Sequence, residues 1–137
     1  MEFNLVEAIT SRKSVRVYDG CPLSDIYKQK VLSYIDATLS IPSPFKGNIR
    51  IKLLETNLLK EGEKLGTYGV IKGAKSFLTA VTDTIDGSME NLGYQFERIV
   101  LYLTSLGIGT CSLAGTFSRK DFLSELAIQE GEIFPLV

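Results

Sequence analysis

The sequence predicts an α+β fold in which helices pack against a sheet. Apolar residues three and four positions apart between Ser88 and Leu106 indicate a long amphipathic helix. Apolar residues alternate with other residues from Ile49 to Leu53, which indicates a strand with one buried face. The run SFLTAVT at residues 76–82 indicates a central strand. No repeat or linker divides the chain, so we predict one domain over residues 1–137.

Composition excludes several classes of function. The sequence contains no His, so His-based triads, His zinc sites and imidazole acid–base catalysis are excluded. Its two Cys residues are too few for a disulfide framework, and no metal-ligand spacing occurs. A net charge of -1 argues against a general nucleic-acid binder. If the protein is an enzyme, we therefore expect a cofactor to carry the reactive chemistry.

Cellular location is also constrained by the sequence. No window approaches the roughly 20 apolar residues of a membrane-spanning helix. The opening residues MEFN lack the basic and apolar regions of a secretory signal. We therefore expect a cytoplasmic protein with no membrane partner.

Two helices are predicted in the N-terminal part of the chain. The first runs from Leu5 to Arg12, and its expected inward residues are Leu5, Ala8 and Ile9. The second is introduced by Pro22 and Ser24 and runs to about Leu39 as a packing helix. Between them the sequence SRKSVRVYDG has the period of an extended segment.

The extended segment carries a basic cluster. Arg12, Lys13 and Arg16 surround Ser14. Cations, a hydroxyl and backbone N–H groups can together hold a phosphate. The same composition is also typical of a solvated basic turn, and the residues alone leave both interpretations open.

A loop and a glycine-containing segment flank the first strand. The loop IPSPFKGN, residues 41–48, is restricted by two prolines and contains a Gly47-Asn48 turn. Glycines between Asn57 and Lys75 disfavour a regular helix across the whole segment but allow a short one at Leu58–Leu65. No nucleotide-binding glycine motif matches there.

The long helix has identifiable ends and two apolar faces. Ser88 or Asp86 is expected to cap its start, and Gly107 suits the left-handed residue after its last turn. One apolar stripe consists of Met89, Leu92, Phe96, Ile99, Leu103 and Leu106. Tyr94 and Leu101 lie on a different face, which predicts that something besides the main core covers the helix.

The chain leaves this helix through GIGTCSLAG, which we predict to be a buried strand whose glycines admit a ligand. A last helix is expected from Ser118, with Ser118 and Asp121 as an approximate capping box. Its apolar side consists of Phe122, Leu123 and Leu126.

Several motifs in order resemble those of the FMN-dependent nitroreductase superfamily, in its TM nitroreductase branch. SRKSVRVY resembles the family opening R-[RK]-S-[VI]-R-x-[FY]. GYQFERIVLYLTSLGIGTCSLAGTFSRKDF resembles the family's central helix and flavin-contacting strand, and YGVIKGAKSFL also matches the branch. The resemblance implies a nitroreductase-like fold with a central, mainly antiparallel sheet flanked by helices.

The resemblance also implies the residues of a cofactor site. Arg12, Lys13 and Ser14 lie where the family binds the FMN phosphate. Pro44 and Asn48 lie near the family's flavin contacts from the SPFKGN loop, often made across the dimer interface. Ala114 and Gly115 lie where backbone N–H groups approach flavin N5 and O4. No catalytic side chain and no metal ligand is implied.

The activity implied is electron transfer from NAD(P)H through FMN to a nitroaromatic, quinone or related acceptor. The resemblance also implies a homodimer, with Tyr94 and Leu101 in the interface. An alternative is a flavin-binding or degenerate nitroreductase-like protein without turnover. A further alternative is a purely structural domain in which the basic turn occurs by chance. The family's domain continues beyond the equivalent of Val137, so we expect the chain to lack the family's C-terminal part.

Overall fold

The computed structural model describes residues 2–56, 66–123 and 125–137, and it confirms the α+β prediction. Four helices and three strands are found among these residues. Their order is α1 (Leu5–Ser11), α2 (Asp25–Ser40), β1 (Ile49–Glu55), β2 (Ser76–Asp83), α3 (Ser88–Ser105), α4 (Arg119–Leu123) and β3 (Glu132–Leu136). The helix considered for Leu58–Leu65 lies outside the described residues.

The three strands form an antiparallel sheet in the order β1-β2-β3. β1 and β2 pair without interruption, from Ile49 opposite Thr82 to Glu55 opposite Ser76. The second ladder contains a register shift between Ala80 and Thr82. Pro135 lies in this part of β3, and proline has no N–H to donate to a regular ladder. The strands predicted at 49–53 and 76–82 are confirmed, whereas β3 was not predicted.

Hydrophobic clusters cover both faces of the sheet. On one face, α2 and α3 pack over residues of β1 and β2. On the other face, Leu54 and Val81 pack with the C-terminal part of the chain. The remaining buried members of that second cluster are Leu113, Phe117, Phe122, Leu126, Phe134 and Val137. The sheet is therefore the middle layer between the helices and the C-terminal residues.

α3 matches the predicted long helix, although its first turn is capped differently. Gly87 is the N-cap, with no side-chain capping bond, so the predicted capping by Ser88 or Asp86 is wrong. The Ser88 hydroxyl instead donates to the Asp83 carboxylate. Gly107 has a φ of 77°, which confirms the left-handed residue predicted after the helix.

The predicted inner stripe of α3 is buried along its middle, where the exposure of Ile99 is 0%. Met89 is 51% exposed because the stripe reaches solvent in the first turn. On the other face, Tyr94 is 41% exposed but Leu101 only 8%. α1 packs against α3 within the same chain. Leu101 is thus already covered by its own chain, which leaves little of its surface for a second subunit.

The two N-terminal helices form as predicted, but α1 buries fewer apolar side chains than expected. The Asn4 side chain accepts a hydrogen bond from the Glu7 amide at 3.1 Å and caps α1. Only Ala8 of its expected inward residues is buried, whereas Leu5 and Ile9 are exposed, so that part of the prediction is wrong. Ser24 caps α2, which buries Val31, Tyr34, Ile35 and Thr38.

The segment after α3 is extended but is not the buried strand that was predicted. Its residues 108–112 are half-buried or exposed, and its one bridge to the N-terminal segment joins Ser14 and Thr110. A Cβ on Gly109 would lie 2.9 Å from the Val15 side chain, so glycine permits the close approach. One bridge does not make a continuous ladder, which explains why the strand prediction is wrong.

α4 begins at the predicted place without the predicted capping box. The Asp121 carboxylate accepts a hydrogen bond from the Gly66 amide at 2.9 Å. Its partner is therefore a distant segment of chain rather than the start of its own helix. Phe122 and Leu126 are buried as predicted, and Leu123 is 44% exposed.

No helix in the described ranges combines the length and apolar character needed to cross a membrane.

Two carboxylates at one end of the sheet make the free energy of unfolding pH-dependent in the acid range. Hydrogen bonds from Ser88 and the Asn48 amide hold the pKa of Asp83 below its ordinary value. Hydrogen bonds from Arg50 do the same for the pKa of Glu132. Because the folded pKa values are depressed, this stabilisation is complete above about pH 5. It is lost as the pH falls through the unfolded values near 4 toward the lower folded values.

We therefore expect Glu132→Gln to flatten the decrease in Tm between about pH 5 and pH 3, because the paired carboxylate is gone. Circular dichroism melts across this range measure the effect. Glu90→Gln, at an exposed position on α3, is the matched control. Parallel Tm–pH curves for wild type and Glu132→Gln would contradict the assignment.

Candidate functional site

The basic cluster lies between α1 and the segment that follows α3. Arg12 is the C-cap of α1, and its backbone N–H donates to the Ala8 carbonyl. Two residues later, the chain joins the segment that follows α3. The Val15 amide donates to the Thr110 carbonyl at 2.8 Å. This contact brings Arg12, Lys13 and Ser14 to the side of the 108–113 segment.

The cations of this cluster are available to an anion. Arg12 is half-buried, and Lys13, Ser14 and Arg16 are exposed. Ion pairs within the described ranges join Lys28 to Glu55 and Arg50 to Glu132, and neither uses a cation of the cluster. Cations and a hydroxyl that have no carboxylate partner among the described residues suit a phosphate, which accepts charge-assisted hydrogen bonds.

Ala114 and Gly115 follow the other end of the 108–113 segment. Leu113 and Val137 exchange backbone hydrogen bonds of 2.8 and 3.1 Å, which anchor the chain just before Ala114. Both Ala114 and Gly115 are exposed. A Cβ built on Gly115 meets no described atom within 4 Å, so a planar group could approach this backbone.

Arg119 holds the loop at Ala114 and Gly115 in place, a role that was not predicted from the sequence. Its guanidinium donates to the carbonyl oxygens of Ala114 at 2.7 Å, Phe134 at 3.0 Å and Pro135 at 3.2 Å. It also lies over the Phe117 ring, 4.6 Å from the centroid. Arg119 therefore ties the Ala114 loop to β3. The sequence contained a signal for this role. A cation in the first turn of a helix interacts unfavourably with the helix dipole, so its presence there suggests a contact outside the helix.

The SPFKGN loop, which carries Pro44 and Asn48, is held at the first turns of α3. The Asn48 amide donates to the Asp83 carboxylate at 3.0 Å, and the Gly47 carbonyl accepts from the Asn91 side chain at 2.9 Å. The Phe45 ring meets the Tyr94 ring edge to face, with centroids 6.0 Å apart. Pro44 and Asn48 are exposed.

The predicted cofactor residues therefore form two groups at opposite ends of α3. The SPFKGN loop contacts its first turns, whereas Thr110, beside Arg12–Ser14, follows its last turn. The helix has 18 residues, which corresponds to a length of about 27 Å. One chain brings Arg12, Lys13 and Ser14 to the segment leading to Ala114 and Gly115. It does not bring Pro44 and Asn48 to them.

The described residues contain no group of three side chains suited to hold a metal ion. The side chains of the cluster can bind an anion through their positive charges, and exposed backbone N–H groups can donate hydrogen bonds.

A protein-family model matches residues 4–136, and its description is "Putative TM nitroreductase". No curated protein matches the chain significantly.

Solved structures resemble the chain over nearly its whole length. A nitroreductase family protein from Clostridium novyi NT is 20% identical with a TM-score of 0.70, over 98% of this chain and 84% of that one. An oxidoreductase containing FMN is 17% identical with a TM-score of 0.68, over 99% and 75%. A Parabacteroides distasonis protein named "Putative NADH dehydrogenase/NAD(P)H nitroreductase" is 19% identical with a TM-score of 0.68, over 98% and 84%.

The contacts of Arg119 lead to a stability prediction. We expect Arg119→Ala to lower the free energy of unfolding by about 1–3 kcal/mol, because three carbonyl groups lose a charged donor at a partly solvated position. Urea denaturation measures the change. Lys120→Ala, at the neighbouring exposed cation, is the control and should change stability by less than about 0.5 kcal/mol. Equal stability of Arg119→Ala and wild type would contradict the tie between the Ala114 loop and β3.

Proposed function

The chain belongs to the TM nitroreductase family and has the nitroreductase fold, and from this we propose that it is an FMN-dependent oxidoreductase. It would pass electrons from NAD(P)H to a nitroaromatic, a quinone or a related acceptor. The observation that carries the proposal is the basic cluster Arg12–Ser14. It is joined at Thr110 to the segment that ends at Ala114 and Gly115. The proposed phosphate site and the exposed backbone of Ala114 and Gly115 are thus connected by one continuous segment, which supports the proposal.

The residues present suit FMN. Its phosphate would be held by Arg12 and Lys13, which have no carboxylate partner among the described residues, and by the Ser14 hydroxyl. The backbone N–H groups of Ala114 and Gly115 would donate hydrogen bonds to the flavin ring. Bound FMN would supply the redox chemistry, accepting electrons from NAD(P)H and delivering them to the acceptor. The FMN-containing oxidoreductase supports the choice of cofactor through the shared fold alone.

The protein's own contribution is binding, orientation and electrostatics. Arg12 and Lys13 would hold the phosphate end of the cofactor, and the N–H donors of Ala114 and Gly115 would stabilise negative charge on its ring. No side chain is assigned as a proton donor or acceptor, in keeping with a sequence that lacks His. The Arg119 clamp on the Ala114 carbonyl restricts the backbone that carries these donors.

We further propose that the working unit is a homodimer in which Pro44 and Asn48 come from the second copy. The length of α3 supports this, since it separates the SPFKGN loop from Arg12–Ser14 within one chain. The exposed Tyr94, packed against Phe45 of the same loop, is the candidate interface residue. Leu101 is too deeply buried in its own chain to contribute much.

The enzyme proposal is tested by assaying NADH and NADPH oxidation with FMN and a quinone. We expect acceptor-dependent turnover. In Arg12→Ala, we expect the FMN concentration for half-maximal rate to rise roughly 10- to 150-fold. That change is the loss of one charged hydrogen bond of about 1.5–3 kcal/mol. The maximal rate at saturating FMN should be nearly unchanged, because Arg12 acts on binding.

Direct titration with FMN separates binding from turnover. Lys30→Ala, which removes an exposed cation from α2, is the matched control. Equal FMN affinity in wild type and Arg12→Ala would remove Arg12 from the site. Tight FMN binding without any NAD(P)H oxidation would replace the enzyme proposal by the flavin-binding alternative.

Mixing two defective variants tests the shared site. We expect Arg12→Glu and Asn48→Ala each to lose most FMN affinity alone. When they are unfolded together in equal amounts and refolded, half of the dimers are mixed, and each mixed dimer has one intact site of two. FMN binding with wild-type affinity should then return to about a quarter of the sites. Recovery of none would contradict a site built from two chains.

A further inference from the structure

A cavity of about 580 Å³ lies between the sheet, helices α2 and α3, and the 108–113 segment. This volume is in the range of pockets that bind small organic molecules, which is about 300–1,000 Å³. The cavity is partly open to solvent. None of the cofactor residues proposed above lines it, although Thr110 and Leu113 belong to both neighbourhoods.

The walls of the cavity are mostly apolar. The sheet contributes Leu53, Phe77 and Leu78, and α3 contributes side chains from its buried face. The α3 residues are Phe96, Val100 and Leu103. Apolar cavities of this kind are poor sites for water, and they bind apolar molecules when these can enter. The walls therefore favour a ligand with a large apolar surface.

Hydroxyl-bearing residues interrupt the apolar lining, among them Tyr18 and Ser76. Burial raises the pKa of Tyr18 to about 12, so its phenol stays protonated and can donate a hydrogen bond at neutral pH. The Ser76 hydroxyl oxygen is buried and has no hydrogen-bond partner among the described residues. A buried hydroxyl without a partner is costly, and a ligand that carries an acceptor would satisfy it.

The charged side chains in the lining balance each other. Asp19 and Lys75 both line the cavity and both are exposed. The Asp19 carboxylate also accepts a hydrogen bond from the Cys21 amide at 2.8 Å. One negative and one positive group give no net preference for a charged ligand.

We propose that this cavity is a binding site for a neutral, largely apolar molecule of one- to two-ring size that carries a carbonyl-type hydrogen-bond acceptor. The apolar body lies against the sheet and α3, and the acceptor meets the hydroxyl groups of Tyr18 and Ser76. The site is separate from the phosphate cluster, and it stands even if the FMN proposal fails.

The test uses two probes that differ in one carbonyl group, 1-tetralone and naphthalene. Both are titrated into the full chain without FMN, and amide chemical shifts are followed by NMR. We expect saturable shifts for residues of the cavity wall such as Leu78, Val100 and Leu113. In the double variant Tyr18→Phe/Ser76→Ala, 1-tetralone should bind roughly 3- to 10-fold more weakly, because it loses hydrogen bonds. Naphthalene should bind as to wild type.

Cavity-filling variants on two walls provide the second measurement. Val100→Phe on α3 and Leu53→Phe on β1 should each weaken both probes at least tenfold, and the second remains informative if the first does not fold. Met89→Phe, at an exposed position of the same helix, is the control and should bind both probes normally. Absence of saturable binding, or binding that survives both filling variants, would overturn the proposal. Equal weakening of both probes by Tyr18→Phe/Ser76→Ala would also overturn it.

Discussion

Burial of one face of α3 against both the sheet and α2 is the constraint on which the rest of the structure depends. Ile99 is completely buried, and Leu92 and Phe96 are nearly so. Each such side chain contributes about 1.5–3 kcal/mol relative to exposure. Because the face contacts two layers, the helix cannot rotate without exposing one of them. Its ends therefore fix the SPFKGN loop at one end and the 108–113 segment at the other. The separation of the two proposed cofactor groups follows from this helix.

The second constraint is the attachment of the chain end to the site loop. β3 reaches β2 through an irregular ladder, and it is also held by Leu113 and by the Arg119 side chain. The Arg119 Nε and Nη2 groups donate to backbone carbonyls, which assigns this cation a structural role. The cations near Ser14 take part in neither ion pair of the described residues. Positive charge at the two ends of the 108–113 segment thus differs in its contacts: Arg119 supports the backbone, whereas the cluster near Ser14 is the proposed phosphate site.

The sequence predicted what local periodicity and capping determine. α2, α3, β1 and β2 each combine a clear period with a recognisable end, such as Ser24 or Gly107, and all four were confirmed. The errors concern contacts between distant segments. Asp121 has the spacing of a capping box, but its carboxylate accepts a hydrogen bond from the Gly66 amide, 55 positions away. β3 is a strand of five residues that contains a proline, so its sequence alone does not indicate a strand, and its pairing with β2 is seen only in the folded chain. We predicted that Leu101, on the second apolar face of α3, is covered by another subunit. The side chain is instead buried within its own chain, in which α1 also packs against α3.

The residue types of the proposed site could be taken from the sequence, but their arrangement could not. Motifs proposed Arg12, Lys13 and Ser14, and the Val15–Thr110 hydrogen bond explains why they lie beside a distant segment. The same segment has the basic cluster at one end, Leu113 bonded to Val137 at the other, and the apolar cavity along its wall. Only one bridge joins it to the N-terminal segment, so few hydrogen bonds fix it laterally. If ligands bind at both proposed sites, any effect of one on the affinity of the other must be reciprocal.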